Sequence, residues 1–446
     1  MKTLLRFIGL LFIASNMIAQ TPRWTTYDNN NTNGSLPLVI CLATDASGNI
    51  WIGSYRTLVK YDQGTTWTIY NSSNSLVPND NNVIDVAVDN SNNIWACTYS
   101  SGLLNYNGST WQQYLPSNSG ILSNYTYCVG FDTPGNVWTG ILSANSSNAG
   151  LVKWDRNSTW TPYNTFFDGY NYKNVEAIAK DNAGNIWCGT SIGLYKYDPT
   201  NSTWTVYTKE NTSGGLGGNW VRVITTDTAG NIWLGTMDLV NYSYVGTGLT
   251  KFTPSTNLWS NYIANSQDPS SQVVSAIAIR NNNQVWVGTG FCGQYNGNGL
   301  YKFENSTWTN YANDLSTFPT SCVNDLVVDK NNNLWIASGA GLTKVDFNPT
   351  AVEEYIETIP TQYSLNAYPN PFNPTTKIEF SIPKAGKYTI KVYNTLGQEV
   401  SLLVDHELVA GIHSVTFDAS GLASGIYICK LSGNNVSLSK KIVLMK

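Results

Sequence analysis

Asp181-Asn182-Ala183-Gly184-Asn185-Ile186-Trp187-Cys188-Gly189-Thr190 is the stretch on which the chain is built, because variants of it recur six more times. The copies place Trp at 51, 95, 138, 187, 233, 286 and 335, a period of 43 to 53 residues, which is the range of propeller blades. Each copy follows an apolar run such as Val83-Ile84-Asp85-Val86-Ala87-Val88, which reads as a buried strand. A turn such as Asp45-Ala46-Ser47-Gly48-Asn49 reverses the chain, and a second strand, Ile50-Trp51-Ile52-Gly53, follows at once. A third strand carries Gly-Leu-x-Lys-Tyr, as at Gly193 to Tyr197, and a fourth carries Trp-x-x-Tyr, as at Trp204 to Tyr207. Four short antiparallel strands per repeat make a β-propeller blade.

The ends of the repeat array are complementary. The first Trp-x-x-Tyr, Trp24 to Tyr27, precedes every core, whereas the core at Trp335 has none after it. The N-terminal strand is therefore expected to complete the seventh blade by pairing with Gly341-Leu342-Thr343-Lys344-Val345, closing the ring without a free edge. The expected fold is all-β: a seven-bladed propeller closed by an N-terminal strand, followed by a small Ig-like sandwich.

With 42% hydrophobic and only 12% charged residues, the chain is able to bury a large core. A net charge of -4 gives no footprint for nucleic acid. Residues 1–20 read as a secretory signal: a basic start with Lys2 and Arg6, an apolar Phe7 to Ala14, and a cleavage point near Ala19-Gln20. No apolar run reaches the ~18 residues of a membrane span. Cys41, Cys128 and Cys322 fall in first strands, Cys97 and Cys188 in second strands and Cys429 in a C-terminal strand; all six read as small buried apolar residues. Cys292, in Phe291-Cys292-Gly293-Gln294, reads as a loop thiol, and no Cys-x-x-Cys zinc spacing occurs.

The propeller reading spans residues 21–347, and residues 348–362 read as a linker. Beyond it, Tyr368-Pro369-Asn370-Pro371-Phe372-Asn373-Pro374 cannot be a central strand, since Pro lacks the ladder donor. Alternating segments from Lys377 onward predict a small sandwich over 363–446.

Two resemblances rest on these motifs. The repeated Asp-x-x-Gly-Asn-Ile-Trp-x-Gly-Thr cores with Gly-Leu-x-Lys-Tyr resemble the two-component-regulator propeller repeat over roughly residues 24–347. Tyr368-Pro369-Asn370-Pro371, Val392 to Gly397, Gly425-Ile426-Tyr427 and the basic end Lys440 to Lys446 are similar to a type IX secretion sorting domain of the type A kind. The second resemblance implies type IX machinery as a partner, outer-membrane export in a Bacteroidota-type cell, removal of the domain and attachment at the surface. The propeller family mostly supplies sensor halves of membrane-bound kinases; this chain departs from that plan in showing neither a kinase region nor a membrane helix.

The chemistry available to the ring is narrow. The two His, His406 and His413, both fall after the repeats, so neither a His-based catalytic triad nor a His-ligated metal is expected in the propeller, nor the streptogramin-lyase chemistry that relies on His. No cofactor is expected. Tyr61-Asp62-Gln63-Gly64-Thr65-Thr66-Trp67 resembles the Asp-box hairpin of sialidase propellers and reads as a structural turn.

Comparison between blades points to a site. Five residues before the turn Asp position stand Ile40, Ile84, Tyr127, Glu176, Arg222, Ser275 and Asn324, a row at the start of the innermost strands that does not repeat. Tyr127, Glu176, Arg222 and Asn324 are candidate ligand contacts at the channel mouth, with Trp220 as a stacking surface; an ion pair between Glu176 and Arg222 is the alternative. Asp85 and Asp325 add carboxylates. Long connections at 141–149, 237–247 and 290–298 offer Tyr242, Tyr244 and Tyr295 as platforms on the same face. The expected function is a secreted, surface-displayed binding protein for a glycan or protein partner. The alternative is a glycoside hydrolase or polysaccharide lyase using paired carboxylates among Glu176, Asp85 and Asp325.

Overall fold

The computed structural model describes residues 22–445 except 30, 33, 35, 37, 80–81, 143–148, 164–173, 241–242, 265–271, 282, 292–294, 312–319, 321, 349–361, 409–410 and 435. The signal segment, most of the linker, Tyr242 and Cys292 therefore lie outside the described residues. The chain forms two compact units, Met1–Asn348 and Pro349–Lys446.

In the first unit the described residues form seven four-stranded antiparallel sheets. The first strands of the seven are Val39–Thr44, Val83–Val88, Thr126–Phe131, Val175–Lys180, Trp220–Thr226, Val274–Arg280 and Val323–Val328. Each packs against the next, and Val323–Val328 packs back on Val39–Thr44, so the set closes on itself as the inner wall of a propeller. The closing sheet contains Arg23–Tyr27 as its outer strand, paired with Gly341–Asp346 in the register Trp24↔Val345 and Tyr27↔Leu342. The edge that the repeat leaves open is thus filled by the chain's own N-terminal strand.

The repeated residues hold the turns. Asp181 Oδ2 accepts hydrogen bonds from Trp187 Nε1 at 2.8 Å and Asn185 Nδ2 at 2.8 Å, while its Oδ1 accepts from the Asn185 backbone at 2.9 Å. The same clasp joins Asp45 to Trp51, Asp89 to Trp95, Asp132 to Trp138, Asp227 to Trp233 and Asp329 to Trp335. This explains the spacing Asp-x-x-x-Asn-x-Trp: one carboxylate satisfies a buried indole, a buried amide and a turn N–H. The Lys of Gly-Leu-x-Lys-Tyr lies over the same indole, as Lys344 does over Trp335 at 5.4 Å and Lys251 over Trp233 at 5.1 Å.

The sixth blade departs from the rule. Arg280 stands where the others have Asp, and the buried Trp286 Nε1 has no acceptor. Arg280 instead donates to Gln284 Oε1 and to the Asn332 carbonyl, and its guanidinium lies 3.8 Å from the Phe347 ring centroid. Phe347 also packs on Trp286 at 5.5 Å, so this blade holds the point where the chain leaves the ring.

Three sequence expectations need correction. The connections at 237–247 and 290–298 are not open loops: Ile232–Val240 pairs with Ser243–Thr253 as far as Val240↔Ser243, and Gln284–Phe291 pairs with Tyr295–Glu304 as far as Phe291↔Tyr295. Val, Leu and Tyr along these stretches favour the ladder, which satisfies backbone groups that a loop would leave to water. Cys322 lies one residue ahead of Val323–Val328 rather than in it. It is also disulfide-bonded, whereas Cys41, Cys97, Cys128, Cys188 and Cys429 are buried free thiols as expected.

The second unit is a sandwich of two sheets. Ser364–Tyr368, Thr375–Ile382 and Gly411–Asp418 form one sheet, and Glu399–Leu408, Gly386–Tyr393, Gly425–Gly433 and Val436–Leu444 form the other. Their inward residues, among them Phe380, Tyr388, Ile390, Phe417 and Leu431, make one core. The Pro-rich run forms the bend between the first two strands.

Candidate functional site

All seven inner strands carry a register shift at the same place. Val39 pairs with Ser54 and Cys41 with Gly53, leaving Ile40 as the extra residue. The same shift leaves Ile84, Tyr127, Glu176, Arg222, Ser275 and Asn324 as the extra residues of the other six blades. A bulge takes a side chain out of the alternation of its strand and re-aims it. All seven extra residues line one cavity of about 520 Å³ at the centre of the ring.

The Gly of Trp-x-Gly-Thr sits next to the bulge for a steric reason. A Cβ on Gly140 would lie 2.6 Å from Cys128 Sγ and 2.7 Å from the Val175 carbonyl, and one on Gly189 would lie 2.6 Å from the Val221 carbonyl. At Gly140 and Gly189 the close approach of the following blade requires the missing side chain, whereas Cys97 and Ala337 stand at this position in two other blades.

One side of the cavity is polar. Arg222 Nη2 donates to Tyr127 Oη at 3.2 Å, and the guanidinium lies 5.2 Å from the Trp220 ring centroid. Glu176 is buried; desolvation pushes its carboxyl pKa up, opposed by the charge of Arg222 and by hydrogen bonds from Trp220 and Tyr127. Desolvation also pushes the Tyr127 hydroxyl up, which leaves it a hydrogen-bond donor rather than a base. The structure therefore brings together Tyr127, Glu176, Trp220 and Arg222 from three successive blades.

Asn324 lines the same cavity but has a second task, since its Nδ2 donates to the Val39 carbonyl at 2.8 Å across the seam where the ring closes. Asp325 Oδ2 accepts from the Leu42 N–H at 2.7 Å across that seam, and Asp85 Oδ2 accepts from the Val129 N–H at 2.8 Å in the next blade. Both carboxylates fasten one blade to the next. Burial raises the pKa of Asp85 to about 6 and that of Asp325 to about 7.

Of the loop aromatics, Tyr295 opens its strand and pairs through the backbone with Phe291, and Tyr242 lies outside the described residues. The rim holds other aromatics that the sequence reading passed over. Tyr55, Tyr99 and Tyr125 are 42%, 50% and 43% exposed. Tyr99 and Tyr125 meet edge to face at 5.4 Å, and Tyr99 lines the cavity. Tyr55 and Tyr99 each follow the Ser or Thr that ends a second strand, which is the signal that would have found them.

Asp62 belongs elsewhere. Its Oδ1 accepts from the Gly64 and Thr66 N–H groups, and Gln63 of the same turn donates to the Gly48 carbonyl, in a turn at the far end of the inner strand from the bulge. The hairpin is a structural turn away from the cavity. Among the described residues, no group of three or more His, Cys, Asp or Glu is placed to hold a metal.

Comparison with known proteins assigns the C-terminal unit. Residues 366–445 match the secretion system C-terminal sorting domain, and residues 215–238 match the two component regulator propeller. The chain carries a type IX sorting domain. That domain implies the type IX secretion machinery and marks the chain for export to the cell surface or the extracellular space. Among solved structures, the chain resembles PorZ, a bacterial surface component of the type-IX secretion system of Porphyromonas gingivalis, at 18% identity and a TM-score of 0.53. It also resembles the extracellular domain of the BT4673 system of B. thetaiotaomicron, at 15% identity and a TM-score of 0.56. These likenesses cover 91% and 94% of this chain but only 59% of each of the other two. A streptogramin B lyase matches over 73% of this chain and 97% of its own, at 14% identity and a TM-score of 0.55. At these identities the likeness is one of fold, all-β and of propeller type. Among the described residues, no helix is long and apolar enough to cross a membrane.

Proposed function

We propose that this chain is a surface-displayed binding protein whose propeller holds a glycan or a protein partner at the channel mouth. The observation that supports the reading is the ring of seven bulges. The scaffold repeats from blade to blade, while the one residue each blade re-aims into the cavity does not. Such a constraint on geometry without a constraint on identity is what a recognition surface needs. The Tyr127, Glu176 and Arg222 cluster supplies both donors and acceptors, and Trp220 with Tyr99 supplies ring faces.

The carboxylate-based hydrolase or lyase is the weaker reading. Asp85 and Asp325 accept backbone hydrogen bonds from neighbouring blades, and Glu176 faces Arg222, an arrangement that suits holding rather than bond cleavage. The division that goes with this function is a signal over residues 1–20, the propeller over 21–347, a linker over 348–362 and the sorting domain over 363–446. The test is a glycan array, together with capture of surface proteins, comparing wild-type chain with Arg222→Ala. The reading expects a partner that the variant loses; a partner held equally well by the variant places recognition elsewhere.

A further inference from the structure

The charges on the cavity wall do not balance. Glu176, Asp85 and Asp325 line it, and among the described lining residues Arg222 is the one cation. Arg222 lies with Glu176 and Tyr127, so among the described residues Asp85 and Asp325 have no counter-charge on the wall. The ionisable groups coupled to them are acids as well. Asp85 acts on Asp325, both act on Cys41, and Asp85 also acts on Cys97 and Cys128. Burial makes these two carboxyls hold their protons to a higher pH than usual, and a cation placed beside them favours the ionised forms.

A separate observation points to a guest. Ser275 is 7% exposed, lines the cavity, and its Oγ has no hydrogen-bond partner. The buried Asn82 Oδ1 on the same wall likewise has none. Buried polar atoms of folded proteins are nearly always paired, so an acceptor-rich wall with open positions fits a ligand that donates several hydrogen bonds. The same wall carries the apolar Leu38, Ile40 and Ile84 and the ring of Tyr99.

We propose that the cavity takes a primary ammonium group on an alkyl stem, the chemistry of a lysine side chain or of a free aliphatic diamine. The ammonium offers three donors and the missing positive charge, and the stem lies along the apolar wall and the Tyr99 ring. This rests on the reading that the channel is the binding site, and it narrows the partner to one that presents such an amine.

The experiment is titration calorimetry of the full chain with Nα-acetyl-lysine amide and with cadaverine, each at pH 5.5 and pH 8, in buffers of different ionisation heat. A bound ammonium favours the ionised carboxyls, so binding is expected to release protons and to tighten by about tenfold from pH 5.5 to pH 8. Saturation by the lysine amide assigns the source to a polypeptide side chain, and by cadaverine alone to a free diamine. Ser275→Ala is expected to weaken either by about tenfold with no fall in melting temperature, because its hydroxyl bonds nothing in the fold. Asp325→Asn is expected to reduce the proton release to the share of Asp85. Binding that ignores both substitutions, or no binding of either amine, overturns the proposal. A glycan hit lost in Arg222→Ala but without amine binding would sink this inference and leave the function above standing.

Discussion

Trp187 and Trp286 occupy equivalent places in two blades and differ in one hydrogen bond. Both are essentially fully buried, at 0% and 1% exposure, but Trp187 Nε1 donates to Asp181 at 2.8 Å while Trp286 Nε1 has no acceptor. Replacing each by Phe removes the same ring area and the same N–H. The losses from burial and cavity formation are therefore similar, on the order of 1–3 kcal/mol each. The hydrogen bond to a carboxylate adds a further ~2 kcal/mol to the cost at Trp187 alone. The assay is equilibrium unfolding in urea followed by far-UV circular dichroism. With a slope of about 3 kcal/mol per molar, the Trp187→Phe midpoint falls roughly 0.7 M below that of Trp286→Phe. Equal midpoints would refute the claim that the Asp-Trp clasp, rather than the indole alone, fixes the blade.

Other outcomes follow from the same structure. Asp85 and Asp325 have carboxyl pKa values raised to about 6 and about 7, so the folded state binds protons more tightly than the unfolded one. Stability from these two is full below about pH 4 and declines as pH rises to about 7, by an amount on the order of 3–4 kcal/mol each; Asp325→Asn flattens that slope in melting curves. Asp45, Asp89 and Asp329 run the other way: burial raises their pKa values, but their hydrogen bonds outweigh it and hold them low, so their contribution is lost as pH falls below about 4. Gly189→Ala drives a Cβ to 2.6 Å from the Val221 carbonyl and costs about 2–4 kcal/mol by the same urea assay, whereas a cost under ~0.5 kcal/mol would contradict the packing argument. Trp24→Ala removes a ring that packs on Tyr311 at 5.6 Å in the closing strand, and lowers the unfolding midpoint more than Leu258→Ala, whose side chain is 61% exposed.

Much of the fold was legible because the repeat states it seven times, and each statement has a physical reason. The clasp residues Asp181, Asn185 and Trp187 recur since a buried indole and amide share one carboxylate. The pairing of Trp24 with Val345 followed from the leftover segments at the two ends. The cavity row was found because its residues vary where the core does not, yet the bulge that aims them was hidden: it is a property of strand pairing, which no single strand displays. Asp85 and Asp325 looked like channel carboxylates, and their bonds to Val129 and Leu42 depend on the approach of neighbouring blades. The disulfide at Cys322 and the long hairpin through Val240 also depend on contacts across sequence that local pattern does not carry.

A ligand seated on the ring of bulges is detected by a thermal-shift screen of the full chain, since a ligand that binds only the folded state raises its melting temperature. With oligosaccharides and surface-protein fragments as the panel, at least one shift is expected that disappears in both Arg222→Ala and Trp220→Ala. A shift that survives both substitutions would contradict this placement of the ligand.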